Sequence, residues 1–167
     1  MRIGIISDTH GFLDEAVFKY FSQCNEIWHA GDIGDIGVLD KLNAFKPTKA
    51  VHGNIDGDAV RKAAPENLVF MCEDRKILIT HIAAKPPRYN PRVRGLIAEH
   101  KPDLLVCGHS HILKVQPDKE NNLLFMNPGA AGVHGFHKMK TLLRMEINNG
   151  NFQNLEVVEL GLRGSLK

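Results

Sequence analysis

Seven residues of this 167-residue chain have the types and spacing to hold metal ions: Asp8, His10, Asp32, Asn54, His81, His109 and His111. The densest stretch is Gly108-His109-Ser110-His111, directly after the apolar run Leu104-Leu105-Val106-Cys107. Neutral imidazole is the commonest nitrogen ligand for divalent ions. In an extended segment two imidazoles one residue apart share a side; in a loop just past a strand end they would straddle two neighbouring sites. One ion takes three or four protein ligands, so two carboxylates, four imidazoles and an amide suit two ions, with one carboxylate shared between them. Two ions roughly 3.5–4 Å apart form a clamp for displacement at a phosphoryl centre. Nitrogen and oxygen donors without thiolate favour manganese, placed first, or nickel, zinc or iron, over copper(I) or iron–sulfur chemistry.

The elements that must position these residues read as strand, polar loop and helix in repetition. Arg2 to Ile6 is a short β-branched strand ending at Ser7-Asp8. Leu13 to Phe21 carries apolar residues at helical spacing. Glu26 to Ala30 is a second strand that stops at Gly31-Asp32, a helix covers roughly Ile36 to Asn43, and Lys49 to His52 runs into Gly53-Asn54. Such βαβ alternation predicts a largely parallel sheet with ligand sites in the loops at the strands' C-terminal ends. A short helix is expected over Asp58 to Ala63. Asn67 to Cys72 and Lys76 to Thr80 form a hairpin ending at His81, and Ala83 to Pro91 is an irregular Pro-rich loop. Val93 to His100 is helical, and Leu104 to Cys107 is the strand before the paired histidines. From Ile112 onward the pattern turns to antiparallel β, with strands Leu113–Gln116, Leu123–Met126, Leu142–Ile147 and Phe152–Leu160. The last two flank Asn148-Asn149-Gly150, a strong hairpin signal.

Composition sets the bounds. Apolar content of 43% and charged content of 24% are those of an ordinary globular protein, and the length suits a single domain over 1–167. A net charge of +2 gives no footprint of phosphate-backbone binding, which disfavours nucleic acid as a partner. Cys24, Cys72 and Cys107 are odd in number and lie in or near apolar runs, as reduced buried thiols do. No run approaches a membrane span and no leader precedes the first strand, so a cytoplasmic location is the default expectation.

Each candidate has a plainer reading when taken alone. Asp8 and Asp32 could cap the helices that follow, Asn54 beside Gly53 could be a turn, and His81 could be an edge histidine. Their recurrence at one strand end after another makes those readings jointly improbable. Asp8-x-His10, Gly31-Asp32, Gly53-Asn54, His81 and Gly108-His109-Ser110-His111 together resemble the signature of the calcineurin-like metallophosphoesterases. The short chain and Asn127-Pro128-Gly129 resemble the small YfcE-like phosphodiesterase branch. The resemblance implies a metallo-dependent phosphatase-like α/β fold, a four-layer αββα sandwich of two packed mixed sheets flanked by helices. It also implies that Asp8, His10, Asp32 and His111 hold a first metal, that Asp32 bridges to a second completed by Asn54, His81 and His109, and that a hydroxide between the ions attacks phosphorus.

The chain departs from the wider pattern at Ile55, where many relatives carry a histidine beside the leaving group. Losing a general acid costs about 10²–10⁴ in rate for a poor leaving group and less for an aryl one. His134 and His137 are expected to reach substrate or to stand in as proton donors, with a solvated surface loop the equal alternative. His29 and His52 are expected as core packing or as support behind the ligands. The leading reading is a phosphodiesterase for small diesters with an open site. A phosphomonoesterase is its neighbour, and a binding scaffold on the same fold, like the retromer subunit, is the reading from another class. All seven ligand positions carry a competent donor, which favours the enzyme. Apolar surface on the C-terminal hairpins would support self-association.

Overall fold

The direction in which side chains alternate along each strand decides the layering. The computed structural model describes residues 1–164. Its first half contains β1 (Arg2–Ile6), α1 (Ala16–Phe21), β2 (Glu26–His29), α2 (Ile36–Phe45), β3 (Thr48–Ala50) and α3 (Asp58–Ala63). There follow β4 (Asn67–Cys72), β5 (Arg75–Thr80), the short pair β6 (Ala84–Lys85) and β7 (Arg88–Tyr89), α4 (Pro91–His100) and β8 (Leu104–Val106). The chain closes with β9 (Lys114–Asp118), β10 (Leu123–Asn127), β11 (Met139–Asn148) and β12 (Asn151–Leu162).

Two five-stranded mixed sheets result, ordered β12-β11-β1-β2-β3 and β4-β5-β8-β10-β9. Ile3 and Ile5 of β1 face Ile77 and Ile79 of β5 and Val106 of β8 in the core between the sheets. Residues of opposite parity face outward: Ile6 and Ile27 pack under α1 and α2, while Leu78 and Leu105 pack under α4. Helix, sheet, sheet and helix therefore form the four layers that the family resemblance implied.

The parallel strands are divided between the sheets. β1, β2 and β3 run parallel in one, and β5, β8 and β10 in the other. Strand alternation predicted a largely parallel arrangement; the first sheet instead carries antiparallel strands on one side and the second on both, because βαβ periodicity does not say which sheet a strand joins. Likewise β10, expected as purely antiparallel, pairs antiparallel with β9 and parallel with β8.

Three local expectations shift. The first helix begins at Ala16, since Phe12 N–H donates to Thr9 O and Asp14 accepts from Ala16 N–H, so turns occupy the preceding residues. The third strand is Thr48–Ala50 and ends before His52. Within the Pro-rich stretch, β6 and β7 pair, and α4 starts at Pro91 because Asn90 Oδ1 accepts from Val93 N–H at 2.9 Å. The three cysteines are buried and unpaired. Leu155, Val157 and Leu162 are exposed on β12, an edge strand. Among the described residues no helix is long and apolar enough to cross a membrane.

Trp28 on β2 is fully buried, and its ring meets Phe70 of β4 edge-on at 5.3 Å, across the two sheets. Its indole N–H donates to Glu26 Oε1 at 2.5 Å. Trp28→Ala should lower stability by about 3–5 kcal/mol, read as the urea midpoint of the metal-free protein. A loss below about 1 kcal/mol would mean that the sheets are not joined through this ring.

Candidate metal centre

Every candidate ligand lies just past the C-terminal end of a parallel strand. Asp8 and His10 follow β1, Asp32 follows β2, Asn54 follows β3, His81 follows β5, and His109 and His111 follow β8. Main-chain hydrogen bonds tie these loops together. Asp8 N–H donates to Gly31 O at 3.0 Å, His10 N–H to Asp32 O at 3.0 Å and Gly108 N–H to His81 O at 3.0 Å. His109 N–H reaches from the second sheet to the Asp8 carboxylate, 3.1 Å from Oδ2 and 3.2 Å from Oδ1.

Five of the seven depart from ordinary backbone geometry in the same way. Asp8 (φ 54°), His10 (49°), Asp32 (52°), His109 (67°) and His111 (56°) occupy the left-handed region. Asp and His visit it more readily than most side chains, yet not freely, and such residues cluster at functional sites. Leaving the strand in this conformation turns each side chain inward. Room for this depends on Gly108, where a Cβ would stand 2.0 Å from Ser7 Oγ and 2.6 Å from Asp8 Oδ2.

The side chains converge as two groups, Asp8 with His10 and His111, and Asp32 with His81 and His109. The paired histidines straddle the two groups rather than sharing one. His111 Nε2 is 3.2 Å from Asp8 Oδ1 and 3.3 Å from His10 Nε2. His81 Nε2 is 3.2 Å from Asp32 Oδ2, and that same oxygen is 3.8 Å from His10 Nε2 in the other group. Ile55 N–H donates to Asp32 Oδ1 at 3.1 Å, which leaves Oδ2 turned toward both groups. Asn54 is exposed and lines a small cavity together with His81.

The donor set fits divalent ions. Bonds of about 2.0–2.2 Å place neighbouring donors on one ion about 3.0–3.5 Å apart, the spacing of His111 from Asp8 and His10 and of His81 from Asp32. His81 is decisive. Its Nδ1–H donates to Ala30 O at 2.8 Å, which leaves Nε2 as a lone-pair donor. Nε2 is buried, close to Asp32 in distance but without a directed hydrogen bond. Two buried electron-rich atoms face each other across a gap that a cation would satisfy.

The electrostatics agree. Burial disfavours a charged His81, but Asp32 and Asp8 outweigh it and raise its pKa. Burial also opposes ionisation of Asp32, yet His81, Ile55 N–H and His10 hold its carboxyl below the usual range. Both shifts mark a place where positive charge is favoured beside buried carboxylates. For His10, burial prevails over both carboxylates and lowers the pKa, which keeps the ring a neutral donor.

Two supporting residues carried weak sequence signals. His29, expected mainly as packing, is fully buried and joins two ligand loops, with Nδ1 accepting from Gly31 N–H at 3.2 Å and Nε2 lying 3.0 Å from Thr9 Oγ1. Asp56, buried beside the ligand loops, accepts from Gly34 N–H at 2.6 Å, Gly53 N–H at 2.7 Å and Ile33 N–H at 3.2 Å. It clasps the Asp32 loop to the Asn54 loop. A carboxylate three residues after Gly53 is its only trace in sequence. His134 is exposed, with its ring 6.0 Å from that of His10. His137 has both ring nitrogens engaged within the protein, so the expectation that it reaches substrate finds no free atom to do so.

A family model of the calcineurin-like phosphoesterase superfamily domain matches residues 1–150. The chain belongs to the calcineurin-like phosphoesterase superfamily. A probable metallophosphoesterase of Methanocaldococcus jannaschii is 32% identical to this phosphoesterase over 155 residues, covering 89% of this chain and 77% of the relative. Vps29 of Entamoeba histolytica shares the fold at a TM-score of 0.73 and 18% identity, covering 96% of this chain and 100% of that one. An archaeal phosphodiesterase does so at a TM-score of 0.73 and 20% identity, covering 95% of this chain and 100% of that one. At these identities the structural likeness extends to the fold alone. Membership of the superfamily makes this chain a metal-dependent phosphoesterase, a phosphoric ester hydrolase that works through divalent ions.

Burial pushes the pKa of His29 down to about 4. In the unfolded chain this imidazole takes up a proton near its ordinary value of about 6.5. The unfolded state therefore binds more protons between those values, and stability falls as pH drops from about 6.5 to about 4, by about 3 kcal/mol. Unfolding free energies across that window should fall more steeply for the wild type than for His29→Asn. Equal slopes would show that His29 is not held neutral.

Proposed function

We propose that this phosphoesterase is a phosphodiesterase with a dinuclear centre, acting on small diesters, with Asp32 shared between the two ions. The observation that carries this reading is the single oxygen Asp32 Oδ2, which faces His81 Nε2 at 3.2 Å and His10 Nε2 at 3.8 Å. Asp8, His10 and His111 complete the first site, and Asn54, His81 and His109 the second. When bound, the ions would supply a nucleophilic water of lowered pKa and positive charge for the phosphoryl oxygens, with manganese placed first and nickel, zinc or iron as alternatives. The chain's own residues do the rest. Ala30 O and Asp56 fix the loops that carry the donors, so little reorganisation remains at the moment of reaction. An open cavity of about 620 Å³ runs from His109 along Ile82, Ala84 and Ile112, with Lys85 and Lys114 among its lining. Its apolar walls suit an ester group of a small diester, and its lysines suit residual negative charge.

No side chain at Ile55 can protonate a leaving group. Exposed His134, beside His10, is the group we assign to hold the phosphoryl oxygen or give that proton. The scaffold reading draws on likeness of fold to Vps29, and the complete donor set weighs against it. A cytoplasmic location and a single domain belong to this proposal, supported by composition.

Hydrolysis of bis-p-nitrophenyl phosphate and p-nitrophenyl phosphate, by protein stripped of metal and then reloaded with manganese, nickel or zinc, tests the reading. The diester should be the better substrate, turnover should need metal, and Asp32→Ala should lose at least about 10³-fold. A fully metallated protein that turns over neither ester would overturn it. His134→Gln should slow a diester with an alkyl leaving group by about 10²-fold while changing the aryl diester only a few-fold. Equal losses on both would remove the acid role.

A further inference from the structure

His137 lies on the loop after Asn127-Pro128-Gly129, and its two nitrogens are spent in a specific order. Nε2 is 3.0 Å from Gly132 O. A carbonyl oxygen only accepts, so Nε2 carries the proton and Nδ1 of the neutral ring carries a lone pair. That Nδ1 faces His111 Nδ1 at 3.2 Å, with the rings 5.2 Å apart and steeply inclined. Away from the metal position, two imidazole nitrogens at this distance hydrogen-bond when one carries a proton, and with His137 Nδ1 as acceptor His111 is the ring that supplies it. His111 is thereby fixed as the Nδ1–H tautomer, with its Nε2 lone pair aimed at Asp8 Oδ1, 3.2 Å away.

We infer that His137 is a positioning residue for the first metal site, holding His111 in its ligating tautomer. This rests on the dinuclear reading above, in which His111 Nε2 is a ligand. The relay closes on itself, because Gly132 N–H donates to Asp8 O at 3.0 Å. It therefore starts at the main chain of one ligand and returns to that ligand's carboxylate. Gly135 makes it possible: at φ 117° its Cβ would stand 2.1 Å from His111 Nδ1 and 3.3 Å from His137 Nδ1, inside the contact. The two sites are thus held by different means. His81 is oriented by the carbonyl of buried Ala30 at a strand end. His111 is oriented by an imidazole on a loop whose His134, Phe136 and Lys138 are exposed. The orientation of His111 consequently depends on the order of that surface loop, and that of His81 does not.

The test pairs two readouts. Long-range ¹⁵N–¹H correlation spectra of the metal-free wild type at slightly alkaline pH should show His111 as the Nδ1–H tautomer and His137 as Nε2–H. Calorimetric titration with manganese should then find two sites in the wild type. In His137→Phe one site should weaken by about 10–100-fold with the other unchanged, and His137→Gln, whose amide keeps an acceptor and a donor, should recover most of the loss. His111 found as the Nε2–H tautomer, unchanged affinities in the Phe variant, or Gln as weak as Phe would each overturn the inference. A wild type that binds no manganese, nickel or zinc would instead remove the dinuclear reading, and the ligand role of His111 with it. A wild type with two sites but the wrong tautomer removes this inference alone.

Discussion

Asp8 and Asp32 are buried side by side, at 0% and 2% exposure, with oxygens that both lie within 4.0 Å of His81 Nε2. Withdrawing a carboxylate from water costs several kcal/mol unless hydrogen bonds and positive charge replace the lost solvation. Much of the architecture at this end of the sandwich answers that cost. Main-chain N–H groups of His109 and Ile55 donate to the two carboxylates, and four imidazoles gather around them, with His81 turned by the carbonyl of Ala30. What protein atoms leave unsatisfied is positive charge at the centre, which is the work of divalent ions in this superfamily.

That requirement explains why the ligands sit where the backbone is least comfortable. Holding five non-glycine residues at positive φ costs free energy at each of them, and loops free to relax would abandon it. They are not free. Asp56, His29 and the carbonyls of Gly31 and Asp32 bind the loops of neighbouring strands to one another. The two sheets meet at the same place, where His81 reaches Ala30 and His109 reaches Asp8. Sheet packing thus positions the chemistry: β5 and β8 bring histidines to carboxylates carried by β1 and β2.

The six residues that the structure gathers into two groups were legible in the sequence, because Asp and His after short β-branched runs are poor choices for packing and recur in register with strand ends. It also displayed most strands, whose apolar runs and turn residues are local signals. It did not display the division of parallel strands between two sheets, which depends on long-range pairing. The N-terminal extent of α1 was masked by apolar Leu13, which packs against the same cluster from the irregular segment before the helix. Asp56 and His29 were hard to recognise because their work is hydrogen bonding to main-chain N–H groups and to Thr9, partners that a sequence does not place. For His137 the sequence left a substrate or proton-donor role and a solvated loop equally open, because a histidine in a Gly-rich loop gives no hint of which atoms its ring will meet.

The most direct measurement of the central claim is an anomalous-scattering map from crystals soaked with manganese. Two peaks roughly 3.5–4 Å apart are expected, one against Asp8, His10 and His111 and the other against His81 and His109, with the Asp32 carboxylate touching both. A single peak, or two peaks that do not share Asp32, would contradict a dinuclear centre built on one bridging carboxylate.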